Sequence, residues 1–398
     1  MREIAILKNP ILPYAWGSTE AIPELLGIPA DGTPRAEMWM GAHPKAPSAI
    51  VENGAETPLT DRIAADPEGI LGPGVRSRFG DALPFLFKVL AAGAPLSIQA
   101  HPSLEAARAG FERENRAGIP LDAPHRNYRD PNHKPECIRA LTPFWGLCGF
   151  RPAREAAALL DAFGVREPRL VPGESPAEES TALRDFFREL LTLPADRRNA
   201  AIDPALNHAR GPGAETPEGR WVNALAGAYP GDPGILSPLF LNLVRLAPGE
   251  ALFLPAGELH AYLDGLGVEI MANSDNVLRG GLTPKHVDVP ELMEQIRFAA
   301  RRPPVLRPEP VSAVEAVFAT PAEEFRLSEV RPGPEPTILT ARAAEILLGL
   351  EGEARLRVPD AGREIPLPRG ATLLVPAAVG RYAVSGSGCF FRATTPVS

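Results

Sequence analysis

Apolar residues recur along this chain with two different periods, and the two alternate along its length. Through residues 1–100 short apolar runs such as FLFKVL (85–90) and PLSIQAH (95–101) are interrupted by Pro and Gly, which predicts strands joined by turns. Residues 103–117, SLEAARAGFERENRA, have helical spacing with Ser103 placed to cap the N-terminus. From 151 to 235 the 3.6-residue period takes over. AREAAALLDAF (153–163) and ESTALRDFFRELLTL (179–193) read as helices separated by Pro/Gly-rich links, a helical insertion in a strand-rich chain. Strand character returns over 237–263, a helix is predicted over 291–299, and the Pro/Arg-rich segment 301–310 reads as a linker. The tail, 311–398, is again patterned as short strands, among them 344–358 and 370–384.

Composition narrows the function classes. The chain has 398 residues, enough for two or three domains, and a hydrophobic content of 44% that supports large cores. With 41 Lys and Arg against 49 Asp and Glu the net charge is −8. That balance argues against nucleic acid, whose phosphates require a basic stripe. The 46 prolines and 36 glycines suit many turns. Three cysteines without a CxxC predict neither a disulfide framework nor a thiolate zinc cluster, and fit a reducing cytoplasm. Residues 83–96, the most apolar long segment, contain Lys88 and two prolines, so no membrane span is expected.

Two segments, Gly249–Pro255 and Gly370–Pro376, share the form G-x5-P. The first continues Ala-Gly257-Glu-Leu-His260 and resembles the second motif of cupin barrels, G-x5-P-x-G-x2-H, with Asp264 where that motif often has Asn. The second has Ala378 and Arg381 where the glycine and histidine would stand. This predicts a mostly-β fold with two cupin-type (jelly-roll) barrels, the first metal-binding and the second not. The expected division is a catalytic unit from 1–150 and 236–300, a helical insertion from 151–235, and a tail barrel from 311–398.

Candidate ligands follow from position. Gln99 and His101 lie two apart on a predicted strand and leave the same face. Glu136 follows Pro135, and His260 closes the barrel motif. Two imidazoles and a carboxylate form a donor set known for catalytic zinc. Spacing alone also leaves these histidines open as structural groups.

YAWGS (14–18), AEMWMGAHP (36–44), LPFLFKVL (83–90), LSIQAHP (96–102), NHKPE (132–136), GFRP (149–152) and the long block 252–293 follow one another in order. Together they resemble the type I phosphomannose isomerase family, densely over 1–150 and 236–300. The resemblance implies one Zn2+ per chain held by Gln99, His101, Glu136 and His260, and a phosphorylated hexose as substrate. It also implies interconversion of mannose 6-phosphate and fructose 6-phosphate through an enediol, with a place in supplying mannose for GDP-mannose.

Such a reaction needs a tuned base, a stabiliser of the enediolate and a cationic phosphate site. Arg279 aligns with the family's active-site arginine. Lys134, His133, Glu269 and Asp275 compete as proton-transfer groups. Lys88 and Ser97 are the candidates for the phosphate, with Lys285 and Tyr262 as further pocket residues. Trp16, Glu37, Trp39 and His43 recur in the family motifs but read as core. The resemblance weighs against an iron-dependent cupin oxygenase and against a non-catalytic sugar-binding cupin. The expected molecule is cytoplasmic and, by default, monomeric, without nucleic-acid or membrane partners.

Overall fold

The computed structural model describes residues 1–52, 54–359 and 364–397. It is mostly sheet, arranged in layers that can be read from the alternation of side chains. Strand Phe85–Ala92 has all eight residues buried. Phe85, Phe87, Val89 and Ala91 enter a core shared with a nine-stranded sheet behind it. Leu86, Lys88, Leu90 and Ala92 point the other way, into the interior of an 11-stranded sheet.

That larger sheet folds over itself along one long strand, His260–Ala272. Residues 265–272 of this strand pair with Phe85–Ala92 and with residues 136–140. Its first residues pair with 145–148, and His260 also pairs with Gln99. Ala261 and Leu263 enter the core beneath the helices, whereas Val268 and Ile270 enter the core behind the sheet. The inward side chains are therefore even-numbered at His260 and Tyr262 but odd-numbered at Glu269 and Met271. A register shift between Tyr262 and Asp264 supplies the change of parity. Gly265 turns the corner at φ +124°, and a Cβ there would lie 2.8 Å from the Pro143 carbonyl.

Helix Leu104–Arg116 begins where predicted, with the Ala106 amide donating to Ser103 Oγ at 3.2 Å. Helices Ala153–Ala162 and Pro176–Thr192 correspond to the two helices expected over 153–163 and 179–193, the second starting in a capping box of Ser175 and Glu178. Two more helices, Ala195–Arg210 and Pro217–Ala228, were not legible in the pattern. The first contains Pro204, and its buried stripe is Ala201, Ile202, Ala205 and Ala209, too weakly apolar to stand out. The helices pack Leu183, Phe186 and Phe187 against Leu147, Phe150 and Ala261 of the sheet.

Several local expectations are corrected. Residues 21–26, 59–65, 67–71 and 73–79 are short helices rather than strands, two of them opening on Pro67 and Pro73. Ser237–Phe240 is a helical turn before strand Leu241–Leu246. The helix expected over 291–299 is Val289–Gln295, capped by Asp288. The expected linker is partly strand: Val305–Leu306 pairs with residues 251–252, and Glu309–Pro310 with residues 316–317.

The nine-stranded sheet carries strands of the tail, but it also takes in Ala5–Lys8, Ala49–Glu52 and Ala55–Pro58. Ala5–Lys8 lies between Ala49–Glu52 and Thr372–Val375. Sheet boundaries thus cross the sequence division drawn above. Its far face is covered by a four-stranded sheet over an apolar core that includes Leu347, Leu356, Tyr382 and Phe390. All three cysteines are free and buried. No helix among the described residues is long and apolar enough to cross a membrane.

Candidate metal centre and substrate cavity

His101, Glu136 and His260 converge inside the folded-over sheet, their donor atoms all within 4.8 Å of one another. Glu136 Oε1 lies 3.3 Å from His101 Nε2, and its Oε2 lies 3.3 Å from His260 Nε2. Each imidazole is fixed from behind. His101 Nδ1 is 2.7 Å from the Asn276 carbonyl, and His260 Nδ1 is 2.9 Å from the Glu258 carbonyl. A carbonyl only accepts, so Nδ1 carries the proton and Nε2 presents its lone pair forward. Both Nε2 atoms and Glu136 Oε2 are buried without a hydrogen-bond partner. Three unpartnered ligand atoms converging within 4.8 Å of one another fit a cation accepting from all three.

The electrostatics agree. Burial pushes His101 down to about 4, which keeps its imidazole neutral. Burial works against the charge of Glu136, but the neighbouring Lys134 outweighs it and holds the carboxyl well below its ordinary range. Lys134 Nζ stands 2.9 Å from Glu136 Oε1.

Beside this cluster opens a cavity of about 180 Å³. Its floor is a buried quartet. Tyr262 donates to Glu269 Oε1 at 2.7 Å, Lys88 lies 3.0 Å from Glu269 Oε2, and Lys88 reaches Glu37 at 3.4 Å. Burial raises Glu269 above the usual carboxylate range, with Lys88 opposing the rise. Lys88 is itself desolvated, but Glu269 and Glu37 outweigh this and hold it above the usual lysine range.

The family model described as phosphomannose isomerase type I, catalytic domain, matches residues 4–153. The mannose-6-phosphate isomerase of Escherichia coli (strain K12) is 41% identical over 394 residues, covering 97% of this chain and 98% of the relative. That of Bos taurus is 36% identical over 399 residues, covering 92% and 91%. The chain belongs to the mannose-6-phosphate isomerase family. A solved structure of a zinc-bound mannose 6-phosphate isomerase has a TM-score of 0.90 with it at 38% identity, covering 99% of this chain and 100% of that one.

Against that family background, the structure sorts the candidate residues. Gln99 lines the cavity with Glu136 and is the cross-strand partner of both His260 and Arg279. Directly opposed residues share a face, so Arg279 stands on the side of Gln99; Ser97 precedes the strand, and Leu96 rather than Ser97 lines the cavity. Lys134, Glu269, Lys88, Tyr262 and Asp275 line the cavity as well. Asp275 sits at its edge, 2.8 Å from Lys45 and 3.6 Å from His43. Burial works against its charge, but Lys45 and His43 hold it below its ordinary value. Arg279 and Lys285 have no carboxylate partner among the described residues, and burial together with Arg129 disfavours the charge on both.

Two expectations change. His133 is not in the cavity. Its Nε2 meets Glu324 of the tail at 2.5 Å, in a separate cleft, because successive residues of an extended segment alternate sides and Lys134 and Glu136 take the inner one. Lys88 has its charge matched by two carboxylates before any phosphate arrives. Conversely Trp16, Glu37, Trp39 and His43, read as core, line the cavity together with Tyr14. The signal that could have found them was the run of alternate positions Glu37, Trp39 and Gly41 opposite Leu86, Lys88 and Leu90.

Proposed function

We propose that this protein interconverts mannose 6-phosphate and fructose 6-phosphate by moving the C2 proton of the open-chain aldose to C1 through an enediol. The observation that carries the reading is the buried His101–Glu136–His260 cluster with unpartnered donors, opening on a cavity floored by an acid of raised pKa. The residues fit one zinc ion per chain, with Gln99 as the fourth protein ligand. A zinc ion held there would supply Lewis-acid polarisation of the sugar oxygens at the reacting carbons.

The protein's own groups divide the remaining work. Glu269 is the proton carrier. It is buried, its raised pKa suits a base that must also return the proton, and Tyr262 and Lys88 hold both its oxygens in place. Lys134 is a cation paired with Glu136, and Asp275 is too weak a base beside Lys45. Lys88 offsets the charge that the quartet would otherwise bury. Arg279 and Lys285, left without acids, take the phosphate dianion, and this anchorage orients the sugar. Tyr14, Trp16 and Trp39 exclude water from one wall.

On this reading residues 1–150 and 236–300 form the catalytic unit, 151–235 a helical insertion, and 311–398 a second, metal-free barrel of cupin type. The protein is a cytoplasmic monomer that supplies mannose 6-phosphate for GDP-mannose. The deciding experiment follows mannose 6-phosphate and fructose 6-phosphate with the protein as purified, after chelation, and after zinc is restored. Activity lost on chelation and regained with zinc is expected; a folded, zinc-loaded protein inactive in both directions would sink the proposal.

A further inference from the structure

Among the described residues one non-glycine has a positive φ: Leu282, at +53°. A leucine in this region is strained, and such a conformation persists only where its surroundings over-determine it. Leu282 lies midway between Arg279 and Lys285, three residues from each, so its backbone sets how those two cations stand relative to each other. A register shift between Arg279 and Gly281 leads into the turn, and the Lys285 amide closes it by donating to Thr283 Oγ1 at 3.1 Å.

What holds the turn comes from the end of the helical segment. Asp232, just past helix Pro217–Ala228, uses one carboxylate for two purposes. Its Oδ1 accepts from the Gly234 amide at 2.7 Å, capping the short helical turn Pro233–Leu236. Its Oδ2 accepts from the Thr283 amide at 3.2 Å, directly after the strained residue. The Leu282 side chain is 0% exposed and enters the helical core with Leu236 and Leu239. The two turns approach so closely that a Cβ on Gly234 would stand 2.9 Å from both Leu282 N and Asp232 Oδ1. The same stretch of chain reaches the other side of the site: the Tyr229 hydroxyl donates to the Pro95 carbonyl at 2.6 Å, two residues before Ser97.

We propose that Asp232 is a positioning residue, which locks the Leu282 turn and so fixes the spacing of Arg279 and Lys285 for the substrate phosphate. This gives the helical segment a function in substrate binding, and it rests on the phosphate assignment made above. Asp232 touches no reacting atom. Its removal frees the turn to relax, which spreads the two cations and weakens the grip on a dianion without disturbing the ligands on the neighbouring strands.

The test is steady-state kinetics of the full-length, zinc-loaded protein, with inorganic phosphate as a competing anion. Asp232→Ala is expected to raise KM for mannose 6-phosphate and the inhibition constant of phosphate together, by about tenfold, with kcat within about threefold and zinc content unchanged. Asp232→Asn keeps an oxygen for the Thr283 amide and is expected to recover most of the loss. Wild-type values of both constants in a folded Asp232→Ala protein overturn the proposal, and so does a loss confined to kcat. If the alanine variant does not fold, the asparagine variant decides, with a rise of about twofold to threefold in both constants in favour and no change against. Calorimetric titration with phosphate separates this idea from the isomerase reading. Weaker phosphate binding in the variant of a protein that proves inactive would sink the reaction and keep the positioning role.

Discussion

The molecule contains the same kind of buried charged quartet twice. In the cavity, Tyr262 donates to Glu269, and Lys88 bridges Glu269 to Glu37. In the tail, Tyr382 donates to Glu345 at 2.6 Å, and Arg392 bridges Glu345 to Glu315. Both quartets lie on inward faces, and in both burial raises the central glutamate. The difference lies in what surrounds them. The tail quartet is packed among Leu347, Leu356 and Phe390. The other borders a cavity and two imidazoles whose Nε2 atoms have no partner. The backbone repeats the contrast. Gly249 and Gly370 open matching strands at φ +96° and +79°, but the strand after Pro255 begins with buried His260, whereas the one after Pro376 begins with exposed Arg381. A buried ion network is therefore architecture until a cavity and a convergent set of unpartnered ligand atoms accompany it.

The sharpest way to break the comparison is to remove one donor. His260→Ala should lose zinc and activity together, by about a thousandfold or more in rate, read by metal analysis and isomerase assay. Glu269→Gln should keep its zinc and lose about 10²–10⁴-fold in kcat. Its counterpart in the tail should do the opposite. Arg392→Met strands Glu345 without its cation and should cost about 3–5 kcal/mol in denaturant unfolding, with the folded fraction showing unchanged KM and kcat.

A smaller effect concerns pH. Glu269 acts as a base only when ionised, so kcat/KM falls as pH drops through its pKa. Because burial raises that pKa, the acid limb should lie above the ordinary glutamate value of about 4.3. Lys88→Met removes the charge that opposes the rise and should move the limb to higher pH. The smallest effect is the reciprocal graft: Ala378→Gly with Arg381→His should change stability by no more than about 0.5 kcal/mol and bind no zinc, since position 381 is exposed and faces no ligand set.

The candidate ligands were legible because each lies in a short segment whose local conformation places it: alternate positions for Gln99 and His101, a proline before Glu136, the barrel motif for His260. Strand Phe85–Ala92 and the cap at Ser103 were legible for the same local reason. The inward pairing of Tyr262 with Glu269 was not, because a single-residue bulge changes which parity faces inward and leaves no trace in composition. His133 was misplaced because a motif gives neighbours in sequence, whereas an extended backbone sends neighbours to opposite sides. Helix Ala195–Arg210 escaped because alanine supplies helix propensity without an apolar signal. The phosphate assignment to Lys88 overlooked two carboxylates contributed by strands distant in sequence.

Strand Ala5–Lys8 has a bearing on how the protein is made. During synthesis it acquires one neighbour from residues 49–52 but must wait for residues 372–375 to supply the other. Chains are synthesised at only about 5–20 residues per second, and contacts this remote carry a large closure entropy. The edge of that strand therefore stays open for tens of seconds while the intervening residues are translated. The nascent chain has a template for foreign strands at residues 5–8 until residues 372–375 dock, so nascent-chain protection over residues 5–8 is expected to matter more than over any strand of the cavity.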